Sequence, residues 1–254
     1  MNVTPLLDFF KRSDVERDVR LLAAQGGLAP RAHEQLGILV LLLDDADPEI
    51  RQTAESTVSR IPVDVLSAVL ARSELPPSLR AFFAGRGIVP ADTPAEDLES
   101  PLVDAGASVE DARDGEADRE STVQRLAKMT FPERLKAAIK GSREMRMILV
   151  RDPNKMIAAA VMSSPKMNDS EVEGIARMAS VSEDVLRIIG SNRGWIKNYK
   201  IAAALARNPK TPVALSLTLL SRLNERDLAQ LSVDRNVSEP VRIAARKKVM
   251  AGGH

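Results

Sequence analysis

Three helix starts of one kind recur through the second half of the chain, and their spacing constrains the fold more than any other feature. Thr130-Phe131-Pro132-Glu133 and Asn168-Asp169-Ser170-Glu171 fit the capping box, in which a polar N-cap and a Glu three residues later satisfy free helix N–H groups. Thr211-Pro212 marks a third start. The three lie 38 and 43 residues apart, the period of helical solenoid units. No stretch shows the sustained alternation of a strand, so the chain reads as all-α.

Each cap opens a triplet of helices. The first helices span Pro132 to Lys140, Ser170 to Ala179 and Pro212 to Arg222, and the second begin near Ser142, Ser182 and Asn224. Their apolar residues fall at helical spacings: Met145, Ile148 and Leu149; Val185, Leu186 and Ile189; Leu228 and Leu231. The third helices start after Asp152-Pro153, Asn192-Arg193 and Ser238-Glu239-Pro240. They carry Ile157-Ala158-Ala159, Ile201-Ala202-Ala203 and Ile243-Ala244-Ala245, with the Ile positions 44 and 42 residues apart. Small Ala side chains let neighbouring helices approach while Ile fills the groove between them.

A related piece stands in the first half, Asp47-Pro48-Glu49-Ile50-Arg51-Gln52-Thr53-Ala54, where Asp caps a helix and Pro occupies its first turn. This segment resembles the Asp-Pro-x-Val-Arg-x-x-Ala pattern of HEAT repeats, and Glu239-Pro240-Val241-Arg242-Ile243-Ala244-Ala245 resembles it again. Asp152-Pro153-Asn154-Lys155-Met156 departs from it at Lys and Met, and Trp195 to Ala203 lacks the Pro. The resemblance covers residues 20–90 and 125–251. It implies a right-handed, HEAT-like or armadillo-like α-solenoid, a fold used mostly by non-catalytic binding scaffolds. The second half is also similar to bacterial proteins built from Asp-Pro-Asn-Lys and Asn-Pro-Lys-Thr-Pro units.

Charge divides the chain. Its 36 basic and 35 acidic residues nearly cancel, yet residues 1–120 carry a net −11 and residues 121–254 a net +12. Between 91 and 120 stand 11 acidic and 2 basic residues with few bulky apolar side chains. That composition predicts a disordered, self-repelling linker. The expected organisation is an almost neutral helical module over 1–90, the linker over 91–120, and a basic solenoid of three repeats of about 40 residues over 121–254.

The exposed layer of a solenoid is its usual interaction surface. In the basic half the repeats offer Arg151 and Lys155, then Arg193, Lys197 and Lys200, then Lys210, then Arg242 and Arg246, with Asn154, Asn192, Asn208 and Asn236 among them. They read either as a solvated face that compensates helix ends or as a positive stripe for an acidic protein partner or for the phosphates of a nucleic acid. Trp195 and Tyr199, the only Trp and Tyr, stand four apart and so share a helix face. They form either a base-stacking platform or, for Trp195, a plug between repeats. The acidic linker could also fold back on the basic module and compete with its ligand as a tethered polyanion.

Catalytic chemistry finds no foothold in the pattern. With no Cys and only His33 and His254, thiolate metal sites and His-based catalytic clusters are excluded or nearly so. There is no phosphate-binding loop, nucleophile elbow or zinc-binding helix motif, and acidic pairs such as Asp44-Asp45 and Glu183-Asp184 stand where carboxylates complement helix dipoles. Val63, Val65, Leu66, Val69 and Leu70 suit a buried helix, and Phe82-Phe83 suit core packing. The longest apolar run, Leu36 to Leu43, is too short to span a membrane, and the charged N-terminus does not resemble a secretory signal. The expectation is a cytoplasmic, non-catalytic scaffold without cofactor, metal, membrane contact or small-molecule substrate.

Overall fold

The computed structural model describes residues 4–12, 15–105 and 119–252, and helices are the only regular elements among them. The all-α reading holds. The chain divides into two compact units, one running to Lys166 and the other starting at Met167.

The first unit opens with α1 (Pro5–Lys11), α2 (Arg17–Ala24), α3 (Ala32–Leu42), α4 (Pro48–Ser59), α5 (Val63–Leu70) and α6 (Pro77–Ala84). It continues with α7 (Arg119–Lys128), α8 (Phe131–Lys140), α9 (Arg143–Leu149) and α10 (Lys155–Met162). α3 lies at its centre, buried around almost its whole circumference, because α1, α2 and α4 all pack on it. Leu36 and Leu39 join Val58, Ile61, Leu66, Leu70 and Phe83 in one core. Phe82 meets Phe83 edge to face at 5.1 Å, and the Arg86 guanidinium covers its outer face. α5 is less buried than expected: Leu66, Val69 and Leu70 face inward, whereas Val63 and Val65 are exposed. Asp47 caps α4 by accepting the Glu49 N–H at 2.9 Å, and Ile50 and Ala54 are fully buried.

The expected boundaries are not those of the compact units. α8 and α10, the first triplet of the basic half, belong with the first module: α10 packs on α1 and α8 on α2. Arg31 fastens this arrangement by donating to the Met162 carbonyl at 2.6 Å. α1 has an apolar side made of Leu6, Leu7 and Phe10, and a single neighbour cannot cover it.

Residues 91–105 also depart from the linker expectation. Leu98 enters the core, the Ala32 N–H donates to the Leu98 and Ser100 carbonyls, and the Ala91 and Ala95 N–H groups donate to Ser67 and Ala68. Gln35 holds the segment as a strand neighbour would, its carbonyl accepting from Leu102 and Val103 and its amide donating to Val103. Gly26, at φ +79°, leaves room for Val103, whose Cγ1 would lie 3.0 Å from a Cβ there. A few apolar side chains and satisfied backbone groups offset the charge that composition alone weighed. Glu99 pairs with Arg31 and Asp104 with Lys140. The remainder of the acidic run, 106–118, lies outside the described residues.

The second unit comprises α11 (Asp169–Arg177), α12 (Glu183–Ser191), α13 (Arg193–Lys197), α14 (Tyr199–Arg207), α15 (Val213–Leu219), a 3₁₀ turn at Leu220–Arg222, α16 (Glu225–Val233) and α17 (Glu239–Gly252). The triplets are real, and the first helix packs against the third in each: α8 with α10, α11 with α14, α15 with α17. Second helices are capped where expected, by Ser142, Ser182 and Asn224. Glu133 accepts the Thr130 N–H and hydroxyl, both at 2.8 Å, which holds its carboxyl below the usual range. Asn168 caps α11, whereas the third first helix is entered through Pro212. Ile157 and Ile201 are fully buried. Ile243 is exposed, and Val241 and Ala245 take the inward positions of α17.

Candidate functional site: a basic cleft in the second unit

The middle triplet differs from the others by an insertion. Five residues, Val150 to Asn154 and Asp234 to Ser238, join second to third helices in the first and last triplets. In the middle one, α13 intervenes and Asn198 separates it from α14 with φ −72° and ψ 117°. Trp195 and Tyr199 therefore stand on different helices rather than on one face. Trp195 is only 8 % exposed, and Tyr199 is 39 % exposed at the start of α14. The pair does not make a stacking platform; Trp195 anchors α13 by burial.

Arg193 and Lys197 ride on this anchored turn, and Lys200 follows on α14; all three are exposed. None has a carboxylate within ion-pair distance among the described residues. The run from 185 to 224 contains seven basic residues and no acidic one, so compensation has to come from elsewhere in the fold. Arg222 ties the turn down by donating to the Ile196 carbonyl at 2.7 Å, and Asn198 donates to Asp169 at 3.0 Å.

Beside Lys200 an open cleft of about 370 Å³ is lined by Arg177, Tyr199, Lys200, Arg207, Asn208 and Asp227 together with Ala203, Ala204 and Pro209. Arg177 and Arg207 end α11 and α14, whose C-terminal dipoles favour cations. The Arg207 Nη2 donates to Asp227 and, at 2.9 Å, to Gln230, while the Tyr199 hydroxyl donates to the second oxygen of Asp227. Desolvation, reinforced by this bond, raises the Tyr199 pKa above its ordinary value. The phenol serves as a hydrogen-bond donor to Asp227. Arg177 pairs with Glu173 on its own helix.

The other expected site residues are dispersed. Arg151 and Lys155 are exposed in the first unit, with the Arg151 Nε donating to Met147 at 3.2 Å. Lys210 is exposed just past the cleft residues Asn208 and Pro209. On α17, Arg242 is half-buried and Arg246 is exposed, its Nη2 3.3 Å from the Ser232 carbonyl. Asn154 and Asn192 act as helix caps, and Asn208 is buried between helix ends. The pattern pointed to Lys200 but passed over Arg177, Arg207 and Asp227. Arg177 and Arg207 carried a signal as the last residues of two helices; Asp227 carried none.

A second cluster lies buried in the first unit at the start of α3. Glu34, 1 % exposed, accepts the Leu6 and Leu7 N–H groups and so caps α1, for which Thr4 supplies no side-chain bond. Burial pushes its carboxyl up to about 7 against the opposing effects of Ser163, those two N–H groups and Arg31. Among the described residues no group of His, Asp and Glu could hold a metal ion, and no helix is long and apolar enough to cross a membrane. Compared with protein-family models, curated proteins and solved structures, the chain has no match.

Proposed function

We propose that the chain is a non-catalytic binding scaffold of the cytoplasm, a right-handed HEAT-like α-solenoid whose basic surface holds an acidic protein partner. The repeated packing of first against third helices supports the solenoid reading. The observation that carries an anionic partner is the exposed, uncompensated trio Arg193, Lys197 and Lys200 on and beside a turn anchored by Trp195. Guanidinium and ammonium groups held this way favour carboxylates and phosphates alike. Burial of Trp195 and engagement of Tyr199 by Asp227 leave no paired aromatic platform for bases, which favours the protein partner over nucleic acid.

The test titrates the full chain into a fluorescent deca-glutamate peptide and a fluorescent single-stranded oligonucleotide over a salt series. Peptide binding that weakens roughly tenfold in the Arg193→Gln/Lys197→Gln/Lys200→Gln variant, with its melting transition unchanged, supports the proposal. Oligonucleotide binding with a steep salt dependence, and no binding of the peptide, overturns it in favour of nucleic acid.

A further inference from the structure

Resting on that reading, the geometry points to a specific seat within the basic surface: the cleft between α11, α14 and α16 takes one carboxylate of the partner, and Asp227 is a resident carboxylate that occupies this seat when the partner is absent. The acid-free run 185–224 makes this arrangement unusual, because the one acid lining the cleft comes from another helix. Asp227 is held at both oxygens, by the Tyr199 hydroxyl and by Arg207, and its backbone N–H is fixed by Asn224 at 2.8 Å.

The resident does not saturate its host. Arg207 uses only Nη2, shared between Asp227 and Gln230, while its Nε and Nη1 have no acceptor among the described residues. Lys200 lines the same cleft as Asp227 but has no carboxylate within ion-pair distance among the described residues. Three cations thus line a cleft that holds one carboxylate: Arg177 pairs with Glu173 on its own helix, Lys200 is unpaired among the described residues, and Arg207 holds Asp227 through one nitrogen, whereas a guanidinium binds a carboxylate best through two parallel bonds. The cleft, about 370 Å³ and open to solvent, has room for a side-chain carboxylate. An incoming Glu or Asp side chain gains the open donors of Arg207 and Lys200 but meets repulsion from Asp227. Asp227 therefore lowers affinity for anions in general and reserves the seat for a carboxylate presented at high local concentration by a docked partner.

The experiment measures deca-glutamate affinity for the full chain and its variants at one low salt concentration. Asp227→Asn keeps the shape and an acceptor for Tyr199 but removes the internal charge; it is expected to bind the peptide several-fold more tightly, and the added change Arg207→Gln or Lys200→Gln is expected to abolish that gain. Glu225→Gln alters the net charge equally on the same helix outside the cleft and is expected to leave affinity near that of the parent. Ring-labelled Tyr199, the sole tyrosine, is expected to shift its resonances on peptide addition. Equal tightening by Glu225→Gln and Asp227→Asn, or no gain from Asp227→Asn while Arg193→Gln/Lys197→Gln still weakens binding, overturns the seat and leaves the broader surface reading standing. Absence of peptide binding in every variant overturns both.

Discussion

The side-chain amide of Asn208 donates to the Ala176 carbonyl across 2.8 Å, with both groups shut off from water. The same nitrogen reaches the Met178 carbonyl at 2.9 Å, while the Asn208 carbonyl accepts the Lys210 N–H at 3.0 Å. One side chain thereby satisfies the end of α11 and shapes the turn leaving α14. Ser164 does the corresponding work in the first unit, donating to Ile139 at 2.6 Å. In these two triplets the third helix is stitched to the first by a polar residue just past its last turn.

Asn208→Ala leaves these carbonyls without their donor in a buried place, which costs about 1–3 kcal/mol. Urea unfolding of the full chain should show a lower midpoint for the second unit. A midpoint equal to that of the parent would mean that water replaces the amide without loss.

Glu34 gives the first unit a pH dependence of unusual sign. Its folded pKa, about 7, lies above the ordinary 4.5, so the folded state keeps a proton that the unfolded chain has released. Below pH 4.5 both states are protonated and the residue makes no difference. Between about 4.5 and 7 its contribution falls as pH rises, by on the order of 3 kcal/mol in all. Glu34→Gln can still accept from Leu6 and Leu7, and it should flatten this slope in melts recorded from acid to neutral pH.

Trp195 is expected to behave as an anchor and not as a ligand platform. As the only Trp, it makes intrinsic fluorescence a direct reporter: its emission should be blue-shifted and should not be quenched by added oligonucleotide. Trp195→Ala should destabilise the second unit by roughly 3–5 kcal/mol. Quenching by oligonucleotide with little loss of stability would reverse this assignment.

Gly190 lets α12 approach α15 closely. A Cβ there would stand 2.2 Å from the Leu215 Cδ2 and 3.0 Å from its Cγ, so the whole Leu side chain would have to move. Gly190→Ala is expected to destabilise by about 1–3 kcal/mol despite its better helix propensity, read as a lower midpoint in urea.

The sequence by itself determined the helix starts that carry a local cap. Thr130, Asn168, Ser142, Ser182 and Asn224 signal starts through local hydrogen bonds that need only their own neighbours, and the recurrence of those starts exposed the triplets. Tertiary structure decided where the units part, because the boundary depends on which apolar face α1 and α2 find to cover them, and that was α8 and α10. It also decided that Leu98 and Val103 leave an acidic run to pack on α3, since a few buried contacts outweigh average composition. In the cleft, Lys200 was visible as one charge in a pattern, but its company was not: Arg177, Arg207 and Asp227 come from three helices, and only packing sets distances between side chains so far apart along the chain.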